Sequence, residues 1–183
     1  EWGDAGQEAG EPDDKPRALY LVIEKILAEH ERLPADWPVH GGVGYRFANL
    51  VNGLFVDGRN EQRFDELYAG FIGERRVFED VLYASKHEII RLSLAADLQI
   101  LTEALYRIAQ GDRRTCDFTR NRLRAALTEM AAGFPVYRTY ISERGVSDDD
   151  RQHIAWAWSA ARRRMRAAEV SVLDFLRDVL LHA

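Results

Sequence analysis

The chain has 183 residues, 46% of them hydrophobic and 30% charged, which is enough length and apolar material for one sizeable core and excludes general disorder. Its formal charge of -5 is uneven: residues 1 to 14 carry six acids and no base, so the remainder sums to +1. That near-neutral body lacks the basic footprint that phosphate backbones and anionic membranes demand, so neither nucleic acid nor a membrane is expected as a partner.

One cysteine, Cys116, excludes an internal disulfide, and no apolar run reaches signal-peptide or membrane-spanning length. A reducing, cytoplasmic setting fits both observations. The first residue is glutamate rather than methionine, so the chain reads as a segment of something longer.

Residues 1 to 17 are acidic, with three glycines and two prolines, and predict a loop or tail. Ala18 to Ile23 is a continuous apolar run, the pattern of a strand buried on both faces of a parallel sheet, yet no second strand of that kind follows for it to join. The expected organisation is therefore a tail over 1–17, a buried parallel-type strand and the start of a following helix over 18–27, and a helical subdomain over 28–183.

Leu50, Leu54 and Phe55 follow Phe47 at helical spacing, and Phe64, Leu67, Tyr68, Phe71 and Ile72 form a second stripe. Val77 to Ala109 predicts one bent helix or two successive ones, stopped by Gly111. Thr119 to Ala132 predicts a helix ended by Gly133 and Pro135, and the β-branched and aromatic run Val136 to Ile141 an extended segment. Ser147 with Asp150, and Ser171 with Asp174, resemble capping boxes opening two last helices, the first running to about Arg166. The fold class expected is mostly α: one strand followed by six or seven helices.

Five scattered histidines and one cysteine offer no metal-ligand spacing, so neither a metal nor another cofactor is expected. Cys116 beside Asp117 reads as an incidental thiol. Gly41, Gly42 and Gly44 could suggest a phosphate cradle, but no lysine-serine or lysine-threonine pair follows them, and a turn entering a helix is the simpler reading. Arg162, Arg163, Arg164 and Arg166 sit at a helix C-terminus and read as a solvated face complementing the dipole. Glu24 has two readings. It either opens a helical turn from Lys25 to Glu29, or stands at the C-terminal end of a parallel strand, where barrel enzymes place catalytic groups.

Longer motifs bear on that choice. Val22-Ile23-Glu24-Lys25-Ile26-Leu27, Glu31-Arg32-Leu33-Pro34-Ala35-Asp36-Trp37-Pro38-Val39 and Gly44 to Asp57 resemble maltooligosyltrehalose synthases, intramolecular glucosyl-transferring members of the α-amylase clan. The resemblance continues through Ser85-Lys86, Ser93-Leu94-Ala95 and Phe134-Pro135-Val136-Tyr137-Arg138-Thr139-Tyr140 to Ser171 through Asp178. An unrelated all-α scaffold does not account for such a series in order.

The resemblance implies that Leu19 to Ile23 is the fifth strand of a (β/α)8 barrel and that the helices are the insertion following it. It implies that Glu24 is the general acid/base, protonating the leaving oxygen of the terminal α-1,4 bond and then deprotonating the attacking hydroxyl. An aspartate nucleophile faces it in a retaining mechanism. Burial against Ile23 and Ile26 would help such an acid hold its proton. The product joins the last two glucoses α,α-1,1, so water must be kept out, and a helical lid serves that end. Lys25, Tyr45, Tyr137, Arg138 and Tyr140 are the expected substrate-binding residues, although Tyr137 and Tyr140 read equally well as packing.

Malto-oligosaccharide and the rest of a parent barrel are the partners implied. The family's Gly-Thr-Thr-Gly-Tyr-Asp-Phe stands here as Gly41-Gly42-Val43-Gly44-Tyr45-Arg46-Phe47, losing two hydroxyls and reversing a charge. The nucleophile and transition-state aspartate motifs do not occur in this chain, so alone it is expected to be inactive. The alternative is a stand-alone, non-catalytic helical module that binds glucan or protein.

Overall fold

In a computed structural model the described residues are 19–28, 30–34, 36–143 and 145–182. The acidic tail expected over 1–17 lies outside them. The structure is mostly helical: α1 Tyr45–Gly53, α2 Glu61–Ile72, α3 Phe78–Leu92, α4 Ala95–Gln110, α5 Arg120–Ala132, α6 Asp148–Arg162 and α7 Val170–Leu181, with 3-10 turns at Gly58–Asn60 and Ala167–Glu169. The chain divides into two compact units, Glu1–Arg63 and Phe64–Ala183.

In the first unit the apolar run makes one parallel bridge, Ile23 with Gly42. The Ile23 amide donates to Gly41 O at 3.0 Å, Val43 donates back to Ile23 O at 3.1 Å, and His40 donates to Leu21 O at 2.7 Å. The glycine-rich turn is thus the neighbour that sequence periodicity did not supply, although Leu19 and Tyr20 stay largely exposed. Residues 24 to 28 are irregular, so the helical turn expected from Lys25 does not form. Gly44, at φ 111°, is the N-cap of α1, a conformation that costs an L side chain about 1–2 kcal/mol.

In the second unit α5 packs against α3, α4, α6 and α7. Leu105, Phe118, Leu123, Ala126, Met130, Ile154, Ala157, Val172, Leu173 and Leu176 make the core. Small residues let the helices close: a Cβ on Gly133 would stand 3.0 Å from the Ala160 Cβ and 3.4 Å from Ala157 O. The long run from Val77 resolves into α3 and α4, where the Ser93 and Leu94 amides both donate to Ile89 O and the regular register is lost.

Two caps behave differently. The Ser147 hydroxyl accepts from the Asp150 amide at 3.1 Å and opens α6, as its spacing predicts. Ser171 caps nothing: α7 starts at Val170 behind a 3-10 turn, and the Asp174 carboxylate instead accepts from the Trp158 indole at 3.0 Å and pairs with Arg177. Val136 to Ile141 forms no strand. Pro135 has no amide to offer a ladder, the Tyr140 amide donates to Asp150 Oδ1 at 3.1 Å, and the Arg138 side chain donates to Thr139 O at 3.1 Å. β-propensity is expressed only against a partner strand, and side chains have taken those backbone groups here.

Candidate functional site

The candidate residues fall in both units. In the first, the bridge between Ile23 and Gly42 sets Glu24 beside the start of α1, because Gly44 turns the chain directly into Tyr45. The Tyr45 hydroxyl donates to Glu24 Oε1 at 3.0 Å. That bond and the carboxylate's charge raise the Tyr45 phenol above its ordinary value, with a smaller contribution from burial. Glu24 is exposed, as is Ile26, and Ile23 is half-buried, so the apolar enclosure expected around the carboxylate is not formed among the described residues of this unit. The pair can do two things chemically: the carboxylate can accept or return a proton at an exposed position, and the phenol can fix which oxygen does so.

Lys25 turns elsewhere. Its ammonium pairs with Glu31 Oε1 at 2.5 Å, with side chains 10% and 5% exposed, and Glu31 Oε2 accepts from the Ala28 amide at 3.2 Å. Sequence reasoning missed Glu31, since six residues in an irregular stretch carry no periodic signal. His40 was also missed: its Nδ1 accepts from the Leu21 amide at 3.1 Å and its ring lies 4.7 Å from that of Tyr20.

In the second unit Tyr137, Arg138 and Tyr140 are close in sequence and differ in setting. Tyr137 is 91% exposed, while Tyr140 is half-buried with the Arg138 guanidinium 5.0 Å from its ring centroid. The packing reading therefore does not fit Tyr137.

A polar cluster joins α3 to α5. The Tyr83 hydroxyl donates to Glu129 Oε2 at 2.7 Å, His87 Nε2 lies 3.3 Å from Glu129 Oε1, and Lys86 donates to Phe134 O at 2.7 Å. Burial and the Glu129 carboxylate push the Tyr83 phenol up to about 12, against a smaller opposing effect of Arg164, whose guanidinium is 4.0 Å from the ring centroid. Burial lowers the Lys86 amine below its usual value. The arginines read as a solvated face are partly stacked: Arg164 on Tyr83 and Arg162 on Trp158 at 5.0 Å.

Among the described residues no group of three or more His, Cys, Asp or Glu could hold a metal ion, and no helix is long and apolar enough to cross a membrane. Cys116 is exposed, its thiol 3.5 Å from Arg113 O.

No protein-family model and no curated relative matches the chain. A solved structure described as "DSM5389 glycosyltrehalose synthase" is similar to it with a TM-score of 0.50 and 23% identity, over 85% of this chain and 19% of that one. The chain therefore spans about a fifth of that structure's length, and the likeness is one of fold.

Proposed function

We propose that this chain is part of a trehalose-forming transglucosylase of the maltooligosyltrehalose synthase kind, contributing its acid/base carboxylate and the helical insertion that follows it. The observation that carries the reading is the Tyr45 hydroxyl on Glu24 Oε1 at 3.0 Å, directly after the run that bridges Gly42 through Ile23. The motif series from Val22 to Asp178 and a fold like that of a glycosyltrehalose synthase support it.

In this reading the Glu24 carboxyl gives its proton to the leaving oxygen of the α-1,4 bond at the reducing end of a malto-oligosaccharide. The glucosyl unit left behind bonds to the aspartate nucleophile of the longer chain. The Glu24 carboxylate then takes the proton of the released glucose's anomeric hydroxyl, whose oxygen attacks that glucosyl carbon and displaces the aspartate, giving the α,α-1,1 linkage with retention. Tyr45, held on one carboxylate oxygen, leaves the other free for the sugar. Lys25, tied to Glu31, acts by fixing the backbone beside Glu24 rather than by touching substrate. Tyr137 offers a ring face to glucose, and Arg138 and Tyr140 offer hydrogen-bonding groups close to it in sequence. The helices exclude water, the partner is the rest of a longer chain carrying the two aspartates, and the setting is cytoplasmic.

The test uses the longer protein encoded around this segment, incubated with maltohexaose while loss of reducing ends is followed. Glu24→Gln should lower turnover about 10²- to 10⁴-fold and leave oligosaccharide binding nearly unchanged. Retained turnover removes the assignment. A second reading, a non-catalytic glucan-binding module, is favoured by Arg46 standing where the family carries aspartate and by the exposure of Glu24. Binding of maltohexaose with no turnover by that longer protein selects it.

A further inference from the structure

The segment from Phe134 to Tyr140 has neither helix nor ladder to hold it, yet both of its ends are tied. At one end Lys86, reaching from α3, donates its ammonium to Phe134 O at 2.7 Å across 48 residues of sequence. At the other, the Tyr140 amide donates to Asp150 Oδ1 at 3.1 Å. Asp150 is itself fixed: it is 6% exposed, and its Oδ2 accepts from the Ser147 hydroxyl at 2.7 Å. Between the two ties Val136 points into the protein and is buried, while the next residue, Tyr137, stands almost fully in solvent.

The chemistry of the first tie is uneconomical for packing alone. A part-buried ammonium loses hydration, and among the described residues Lys86 has a carbonyl and no carboxylate as its partner. A methionine would fill similar space without that loss. What the ammonium adds is a charge-assisted hydrogen bond that fixes the direction of the Phe134 carbonyl, and so the path of the chain leaving α5. An exposed aromatic ring binds a sugar face well only when its own position is settled beforehand, since ordering a mobile loop subtracts from the binding free energy.

We propose that Lys86 is a positioning residue which, with Asp150, holds Phe134–Tyr140 as a fixed arch that presents the Tyr137 ring to a glucose unit of an α-1,4-glucan. The glucan half of this rests on the function proposed above, whereas the arch does not.

The experiment compares the 183-residue chain with Lys86→Met, Lys86→Arg and Tyr137→Ala by amide hydrogen exchange and by titration with maltopentaose. Lys86→Met should speed exchange of the Thr139 and Tyr140 amides about tenfold while amides within α5 and α7 keep their protection, and should weaken maltopentaose binding several-fold. Lys86→Arg, which keeps a cationic donor, should restore both. Tyr137→Ala should lose the binding and leave exchange as in the parent.

Exchange at 139–140 unchanged in Lys86→Met overturns the positioning role. Faster exchange with undiminished affinity, where Tyr137→Ala does lose affinity, overturns the link between arch and ligand. A parent chain that binds no maltopentaose overturns the glucan half alone, since the exchange result still decides the arch. If Lys86→Met does not fold, Lys86→Ala, which suits the interior of α3 better, takes its place under the same readings.

Discussion

The two units of this protein hold themselves together by different means. In Phe64–Ala183, four helices close around Leu123, Ile154, Leu173 and their neighbours, and buried apolar area supplies the stability. In Glu1–Arg63, Leu50, Leu54, Phe55 and Val56 are exposed, and what the described residues bury is charge: the Lys25–Glu31 pair beside a short backbone ladder. Helical periodicity alone does not tell these cases apart, because α1 is as amphipathic in sequence as the helices that build the core. The difference decides how each unit responds to substitution.

The largest effect comes from the same change made in both. Leu123 is fully buried and Leu54 is 74% exposed. Leu123→Ala should cost about 2–5 kcal/mol, a transfer loss plus a cavity in the core beside the first turn of α5. Leu54→Ala should stay within about 0.5 kcal/mol. Urea unfolding of both variants checks this, and equal losses would mean that α1 contributes to a core after all. Next comes Glu31→Gln, which takes the charge from the carboxylate that meets the Lys25 ammonium in an enclosed pair. A loss of about 3 kcal/mol is expected, larger than that of any single apolar truncation in α1, and little relieved by salt because the pair is enclosed. A Glu31→Gln protein as stable as the parent would break the contrast.

What was legible in the sequence follows the same division. The helices of the second unit announce themselves through signals that act over three or four residues: the Ser147 cap, the apolar spacing from Val77 onward, the glycine after α5. Ser171 shows the limit of such a signal, because its spacing to Asp174 is right but Asp174 is committed to Trp158 and Arg177. Val136 to Ile141 shows another, since its composition predicts an extended segment but not that Asp150 and Arg138 would bond to its backbone.

For the candidate site, the motif series singled out Glu24 and Tyr45, which prove to be hydrogen-bonded across 21 residues. Nothing local foretold that Lys25 would turn to Glu31 or that Lys86 would reach Phe134 O, because contacts between irregular stretches leave no period to read.

Each unit also carries a tyrosine hydroxyl on a glutamate, and the two phenols give the finest version of the comparison. For Tyr83 burial is the largest cause of the upward shift to about 12, whereas for Tyr45 the bond to Glu24 leads and burial comes last. Tyr83 is an acid whose pKa is raised on folding, so its contribution to stability is whole below pH 10 and is lost as pH climbs from 10 towards 12. Two full units represent about 2.7 kcal/mol, and the solvent still reaching the ring reduces that to about 1 kcal/mol. Tyr83→Phe should therefore lower stability by about that amount below pH 9, where the bond to Glu129 is intact in the parent, and flatten the alkaline limb so that the two curves meet as pH approaches 12.

Glu24→Gln should act on the other phenol only, returning Tyr45 towards its ordinary value in an ultraviolet titration while Tyr83 still ionises last. If Glu24→Gln moved the later transition, or Tyr83→Phe the earlier, the assignment of one wet and one dry tyrosine-carboxylate pair would be reversed.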